Sequence, residues 1–164
     1  MCGIVGYIGE RSAAQVLVPS LKRLEYRGYD SAGLAVVNGK ELIIRKSQGK
    51  IVQLEVGLQQ APVGGTLGVA HTRWATHGAP SDTNAHPHAD CTGRLAVVHN
   101  GIIENHRALR ERLLAAGHRI ASETDTEVLA HLIEERVNGS LEAAVADALH
   151  EVRGACAMAV VDRD

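Results

Sequence analysis

Short apolar stretches of strand length occur near both ends of the chain and around its middle, separated by polar turns. Alternating or clustered apolar residues of this length, bounded by Gly, Asn or Pro, are typical of β-strands. Asn38 and Gly39 lie between two such stretches and predict a tight hairpin. The pattern predicts strands at residues 2–8, 34–37, 42–45, 66–71, 95–99 and 155–161.

Other segments carry apolar residues at the helical period. Two have capping-box spacing at their start, Ser12 with Gln15 and Thr124 with Glu127, and Ser140 can cap another. Pro19 should kink or delay the first helix. Helices are predicted from Ser12, within 50–60 (broken at Gly57), around Leu109 to Leu114 as far as Gly117, from Thr124, and from Ser140. Strands at both ends with helices between predict an α+β fold with mainly antiparallel pairing.

One long polar segment, Arg73–Gly93, separates two of the predicted strands. It is too rich in Gly, Pro, Asn and Asp to form a regular element. Long irregular loops inside compact domains often carry function. We therefore expect binding or catalytic residues in this segment.

Composition narrows the class of protein. The chain has 164 residues, 45% of them hydrophobic, and contains nine His and no Phe, so Val, Ile, Leu and Ala must fill the core. The formal net charge of −2 gives no basic excess for nucleic acid or an anionic membrane. Neither a membrane-length apolar run nor a secretory signal is visible, and the expected location is the cytoplasm.

The three cysteines, Cys2, Cys91 and Cys156, do not make a disulfide framework. Cys2 follows the initiator Met, and removal of Met1 would place an α-amine and a thiol on one residue. An α-amine has a pKa of about 7.7–8.0, so a fraction is neutral near pH 7 and can accept a proton. Such a residue combines nucleophile and base. The alternative is a small buried residue at the start of a strand.

Several blocks, in order along the chain, resemble the class II glutamine amidotransferases, which are N-terminal nucleophile hydrolases. The blocks are residues 2–6 (CGIVG), 27–33 (RGYDSAG), 71–78 (HTRWATHG), 84–88 (NAHPH), 99–105 (HNGIIEN) and 122–127 (SETDTE). The resemblance implies a four-layer αββα sandwich. It also implies that Cys2 attacks the side-chain amide of L-glutamine, forms a γ-glutamyl thioester and releases ammonia.

The long blocks 27–33 and 71–78 favour the branch of this family that uses the ammonia to make glucosamine 6-phosphate from fructose 6-phosphate. Two alternatives stay open. The first is another branch, such as the amidophosphoribosyltransferases or asparagine synthetases. The second is a non-catalytic, glutamine-sensing domain, which a retained Met1 would favour.

The resemblance assigns Asn100 and the Gly101 backbone N–H to the oxyanion hole. An uncharged amide donor and a residue without Cβ suit that role physically. The alternative is an ordinary Asn-Gly turn after a strand.

Glutamine is a zwitterion, and the resemblance assigns Arg73 to its α-carboxylate and Asp125 to its α-ammonium. A guanidinium binds a carboxylate in bidentate fashion. Asp125 has a structural alternative, because an Asp early in a helix favours the helix dipole. The resemblance further assigns glutamine contacts to Trp74, Thr76 and His77, with Trp74 on a closing loop, and supporting roles to Arg27 and His86.

His86, His88 and Cys91 suggest a zinc site, but only three close ligands appear, and the family uses no metal there. No metal and no cofactor are therefore expected. Cys91 is expected to be an unreactive loop cysteine and Cys156 a strand cysteine in core packing.

Residues 1–164 are thus predicted to be a glutamine amidotransferase type 2 domain that is incomplete at its C-terminus, with the sugar-phosphate isomerase domains absent. The resemblance implies that the complete synthase is a homodimer.

Overall fold

The computed structural model describes residues 2–164. Within that range the chain forms seven β-strands, five α-helices and one 3-10 helix, Glu25–Arg27. In chain order these are β1 (Gly3–Ile8), α1 (Ala13–Lys22), β2 (Ser31–Asn38), β3 (Glu41–Gln48), α2 (Ile51–Gln60), β4 (Leu67–Arg73), β5 (His88–Ala89), β6 (Leu95–Gly101), α3 (His106–Ala115), α4 (Glu127–Glu134), α5 (Leu141–Glu151) and β7 (Cys156–Asp162).

The strands form two antiparallel sheets, one in the order β1-β4-β2-β3 and one in the order β5-β6-β7. Helices α1 and α2 pack on the first sheet through a core that includes Leu17, Leu34 and Leu54. Helices α3, α4 and α5 pack on the second sheet through another core. The order of layers is therefore helix, sheet, sheet, helix, which confirms the predicted α+β sandwich.

A third core lies between the two sheets. Ala35 and Val69 from the first sheet meet Ala96, Val98 and Val161 from the second. All five are small or β-branched, as expected for a chain without Phe. Small side chains let the two sheets approach closely.

The sheet register determines which loops meet at one end of the sandwich. Gly3 pairs with Thr72, and its N–H donates to Thr72 Oγ1 at 3.1 Å. Because β1 and β4 are antiparallel, the start of β1 adjoins the end of β4. Cys2 therefore lies beside the first residues of the 74–87 loop, which contains no helix or strand. The predicted irregular segment 73–93 is confirmed only for this part, because Arg73 belongs to β4 and His88–Ala89 forms β5.

Some local predictions were wrong. Ser12 and Thr124 make no side-chain capping bond to a helix, and α4 begins at Glu127 rather than at Thr124. Helices α1 and α2 run through Pro19 and Gly57 without a break. The prediction for Ser140 is confirmed, because its side chain accepts a hydrogen bond from Ala143 N.

The hairpin between β2 and β3 is also confirmed, with its turn one residue later than predicted. Asn38 pairs with Glu41, which leaves Gly39 and Lys40 in the loop. Gly39 has φ +62°, a left-handed conformation that favours glycine. Within residues 2–164, no helix combines the length and the hydropathy needed to cross a membrane.

Candidate active site

A cavity of about 680 Å³ opens where β1 begins and where β4 and β6 end. This volume falls within the usual range for small-molecule sites, about 300–1,000 Å³. Among its lining residues are Cys2, Arg27, Arg73, Trp74, Thr76, His86, His99, Asn100, Gly101, Asp125, Thr126 and Cys156. The structure thus brings nine of the ten sequence-predicted site residues to one cavity. The exception is His77.

Cys2 lines this cavity, and hydrogen bonds to its thiol and to its carbonyl oxygen hold it in place. Trp74 N–H donates to Cys2 Sγ at 3.2 Å. Arg27 Nε and Asn100 Nδ2 each donate to the Cys2 carbonyl oxygen at 3.2 Å. Arg27 therefore supports Cys2 through its main chain. The predicted removal of Met1, and with it the predicted α-amine base, lies outside the described residues.

Asn100 is fixed in orientation by a histidine that carries no predicted role. His71 Nε2 lies 2.9 Å from Asn100 Oδ1 and 3.1 Å from the His99 carbonyl oxygen. Both partners are acceptors, so His71 Nε2 carries the hydrogen. This contact turns Asn100 Nδ2 towards Cys2. One Nδ2 hydrogen is used by the Cys2 carbonyl, and the second remains for a ligand.

Gly101 adjoins Asn100 in a conformation that excludes other residues. Its φ is +143°, and a Cβ there would lie 2.1 Å from the Ala155 carbonyl oxygen. The chain can follow this path only at a glycine. The turn interpretation of Asn-Gly is therefore wrong, because both residues lie in β6 and not in a turn.

Arg73 is 4% exposed at the end of β4. Its Nη2 donates to the His77 carbonyl oxygen and, at 3.1 Å, to the Gly78 carbonyl oxygen. Its Nη1 is buried and has no hydrogen-bond partner anywhere in residues 2–164. Burial lowers the pKa of Arg73, and nearby Asp30, Cys2 and Asp125 oppose that shift. A buried cationic donor without a partner is suited to an anionic ligand.

Asp125 provides the opposite charge in the same cavity. Its Oδ2 accepts a hydrogen bond from Ile103 N–H at 2.8 Å, and its Oδ1 lies 3.9 Å from His77 Nδ1. Asp125 precedes α4, whose first-turn acid is Glu127. A carboxylate this close to a helix start also favours the helix dipole, and the two uses of Asp125 can coexist.

The other three predicted contacts lie on the 74–87 loop. Trp74 is 47% exposed and packs edge-on against Tyr29, with ring centroids 5.4 Å apart. Thr76 lines the cavity, whereas His77 does not; the His77 ring packs against the His106 ring, with centroids 5.0 Å apart.

Asp30 and Gly28 fix the position of the first residues of this loop. The Asp30 carboxylate accepts a hydrogen bond from Ala75 N–H. A Cβ on Gly28 would lie 2.7 Å from the Arg73 carbonyl carbon, so only glycine allows this close approach. Both residues belong to the 27–33 motif block, and this block is the feature of the sequence that could have indicated their roles.

Three buried histidines pack against one another beside the cavity, and one of them, His86, lines it. The His71 and His86 rings stack with centroids 4.1 Å apart, and His86 packs edge-on against His88 at 4.8 Å. His86 Nδ1 accepts a hydrogen bond from His99 N–H at 3.3 Å. His86 therefore supports β6 next to Asn100.

Of the two remaining cysteines, Cys156 departs from its prediction and Cys91 does not. Cys156 is exposed and lines the cavity, so its predicted place in the core is wrong. Cys91 lies in a turn after β5, as predicted for a loop cysteine, and its thiol contacts His118 and His131. The zinc set considered from sequence, His86 with His88 and Cys91, is therefore not assembled.

Comparison with known proteins identifies the family. A sequence profile described as "Glutamine amidotransferase domain" matches residues 71–164, which carry Arg73, Asn100 and Asp125. The chain belongs to the glutamine amidotransferase family.

The amidotransferase chain is similar over its full length to curated relatives named glutamine–fructose-6-phosphate aminotransferase [isomerizing]. It is 55% identical to the protein of Thermococcus kodakarensis, over 100% of this chain and 28% of that protein. It is 56% identical to the protein of Thermus thermophilus, over 100% of this chain and 27% of that protein. The chain thus spans 27–28% of the length of these relatives.

Solved amidotransferase structures share the fold. The glutamine phosphoribosylpyrophosphate amidotransferase of B. subtilis aligns with a TM-score of 0.84 at 29% identity, over 99% of this chain and 35% of that one. A structure titled as the allosteric regulatory enzyme of purine biosynthesis aligns at 0.86 and 29% identity, over 99% and 36%. These matches confirm the predicted N-terminal nucleophile hydrolase fold.

The buried histidines of the amidotransferase make a prediction about acid stability. Burial lowers the pKa of His71 to about 4, although Asn100 opposes the shift, and burial also lowers the pKa of His86, His88 and His99. Below about pH 6.5 the unfolded chain therefore binds more protons than the folded chain. Stability should be full above that pH and should fall as the pH drops towards 4.

Each such histidine contributes up to about 1.4 kcal/mol per pH unit within this window. Burial lowers the pKa of His131, but the nearby carboxylates of Glu127 and Glu134 outweigh burial and raise it, so His131 acts in the opposite direction. Urea unfolding at pH 7, 6 and 5 measures the slope, and His71→Asn should reduce it. The exposed His150→Asn is the control, and equal slopes in wild type and His71→Asn would contradict the prediction.

Proposed function

We propose that this chain hydrolyses the side-chain amide of L-glutamine through a Cys2 thioester and supplies the ammonia for making glucosamine 6-phosphate from fructose 6-phosphate. One observation carries the proposal. A thiol, an oriented amide donor, a partnerless cationic nitrogen and a carboxylate all face one cavity of about 680 Å³.

The chemistry begins with attack of Cys2 Sγ on the amide carbon of glutamine. The second Nδ2 hydrogen of Asn100 and the Gly101 N–H stabilise the negative oxygen that forms. The C–N bond then breaks, the nitrogen takes a proton and leaves as ammonia, and the γ-glutamyl group stays on sulfur. Water adds to the thioester and releases glutamate. The Cys2 α-amine moves the protons in this scheme if Met1 is removed.

Recognition of glutamine follows from the two charges. Arg73 Nη1 binds the α-carboxylate, because that donor has no partner elsewhere in residues 2–164. Asp125 Oδ1 accepts from the α-ammonium, while Asp125 Oδ2 stays bonded to Ile103 N–H. Thr76 lines the same cavity, and His77 Nδ1 lies 3.9 Å from Asp125 Oδ1.

Trp74 would close over bound glutamine. It is exposed, it borders the cavity, and its backbone N–H already contacts Cys2 Sγ. Closure of such a loop excludes bulk water while the thioester exists.

The acceptor is inferred from relatives that are 55–56% identical and carry glutamine–fructose-6-phosphate aminotransferase in their names. The phosphoribosylpyrophosphate enzyme, at 29% identity, is the weaker candidate. Because the chain spans 27–28% of those relatives, sugar-phosphate isomerase domains beyond residue 164 are part of this proposal, as are a homodimer and a cytoplasmic location. The gene sequence downstream of codon 164 tests the first of these directly.

Asn100→Ala tests the proposed chemistry. The donor matters most when charge develops on the oxygen, so kcat for glutamate release should fall by about 10²–10³ with KM little changed. His71→Asn, which frees the orientation of Asn100, should lower kcat in the same direction by a smaller factor. A near-normal kcat for Asn100→Ala would contradict the oxyanion role.

A further inference from the structure

Away from the catalytic cavity, four polar side chains converge on one point. Cys91 follows β5, His118 follows α3, and His131 and Glu134 lie on one face of α4. Their sulfur, nitrogen and oxygen atoms all lie within 4.8 Å of one another. We call these four residues the Cys91 cluster.

Four of the six distances between the ligand atoms of the Cys91 cluster are close to those of a tetrahedral zinc site. Cys91 Sγ lies 3.6 Å from His118 Nδ1 and 3.5 Å from His131 Nδ1. Glu134 Oε2 lies 3.1 Å and 3.0 Å from the same two nitrogens. Ideal zinc bond lengths place sulfur and nitrogen ligands about 3.6 Å apart, and nitrogen and oxygen ligands about 3.3 Å apart, around a tetrahedron. We propose that the Cys91 cluster binds one structural Zn²⁺ ion.

Hydrogen bonding alone accounts poorly for this convergence. Each Nδ1 carries at most one proton, yet each faces both Cys91 Sγ and Glu134 Oε2. A cation at the centre satisfies all four atoms together. A thiolate and a carboxylate also balance the two charges of Zn²⁺, which removes the cost of leaving them unpaired.

Groups around the Cys91 cluster have the arrangement typical of zinc ligands. Arg119 N–H donates to Cys91 Sγ at 3.3 Å, a contact that stabilises a thiolate. The other ring nitrogens each lie near a carboxylate: His118 Nε2 is 3.5 Å from Glu135 Oε1 and His131 Nε2 is 3.9 Å from Glu127 Oε1. Neither contact is a hydrogen bond within residues 2–164, but a nearby carboxylate still favours the proton on these distal nitrogens and leaves both Nδ1 atoms free to bind a metal.

Four protein ligands leave no open position, so the ion would be structural rather than catalytic. It would join the turn after β5 and the loop after α3 to α4. Asp125 and Thr126, which line the catalytic cavity, directly precede α4. None of the four ligands lines that cavity, and the proposal does not depend on the proposed glutaminase activity.

Zinc titration of chelator-treated protein tests the proposal. One equivalent should bind with a Kd below about 50 nM. Loss of an outer carboxylate typically weakens metal binding by about 10–100-fold, so Cys91→Ala and His118→Ala should each weaken it by more than about 100-fold. The matched controls are Cys156→Ala and the exposed His150→Asn, which should bind zinc as the wild type does.

A second measurement needs no variant. Zinc should protect Cys91 in the wild-type protein from alkylation by iodoacetamide, with Cys156 still alkylated, as mapped by peptide mass spectrometry. Cobalt(II) in the same site should show a thiolate charge-transfer band. A weaker Kd, a smaller loss in either ligand variant that folds, or alkylation of Cys91 unchanged by zinc would overturn the proposal and leave the cluster as a hydrogen-bonded contact.

Discussion

Cys2→Ala is expected to abolish glutamine hydrolysis, with a loss in kcat on the order of 10⁶-fold, as for other covalent nucleophiles. Cys2 is the residue at which a thiol and an α-amine can be joined once Met1 is removed. Glutamate release measured over hours quantifies the residual rate. Cys91→Ala and Cys156→Ala should retain measurable hydrolysis, because neither thiol adjoins an α-amine.

Cys156 makes this a demanding test, since it is exposed and lines the same cavity. The glutamine analogue 6-diazo-5-oxo-L-norleucine should add once, and peptide mapping should place the adduct on Cys2. An adduct on Cys156 would disprove the assignment. Intact mass should also show loss of Met1, and full activity with Met1 retained would contradict the role of the α-amine.

Arg73→Ala is expected to raise the barrier for glutamine by about 2–5 kcal/mol in kcat/KM, because it leaves the α-carboxylate buried and unpaired. A substrate whose α-carboxylate is amidated should lose much less. Asp125→Asn should show the converse, with the largest loss for substrates that carry a free α-ammonium. The asparagine keeps an oxygen for Ile103 N–H, which makes this substitution conservative for the fold.

The measurement is kcat/KM for both variants with glutamine, its α-amide and its N-acetyl derivative. Equal losses across the three substrates would show that both residues act through structure alone. Unfolding in urea provides the control: if Asp125 stabilised only a helix terminus, its loss would cost about 0.3–1 kcal/mol of stability and would not depend on substrate.

The sequence predicted most strands and helices correctly because apolar periodicity records which face of an element is buried. It failed at helix starts. Glu127 does not close a capping box with Thr124, because its carboxylate accepts from Ala121 and Ser122 N–H, while Thr124 Oγ1 contacts His88 and Ser122. Such tertiary partners outcompete a local capping pattern.

The motif blocks predicted which residues belong to the candidate site, because a match to a motif identifies residues without knowledge of their positions in space. The blocks gave no role to His71, because its role follows only from the packing of one sheet on the other, which places Nε2 of His71 in β4 against Asn100 in β6. Cys156 was misjudged for a related reason. An apolar strand predicts a buried cysteine, but Cys156 is the first residue of β7 and lines the cavity.

By itself, the sequence determined the α+β class, the family and the residues that converge on Cys2, because these depend on periodicity and on motif blocks. Only the tertiary structure decided which buried groups pair and which lack partners. Arg73 Nη1 emerges as a donor without a partner in the described part of the chain, and Cys91, His118, His131 and Glu134 emerge as one cluster. Cys91 lies 40 positions from His131, and no local pattern encodes a distance that folding alone creates.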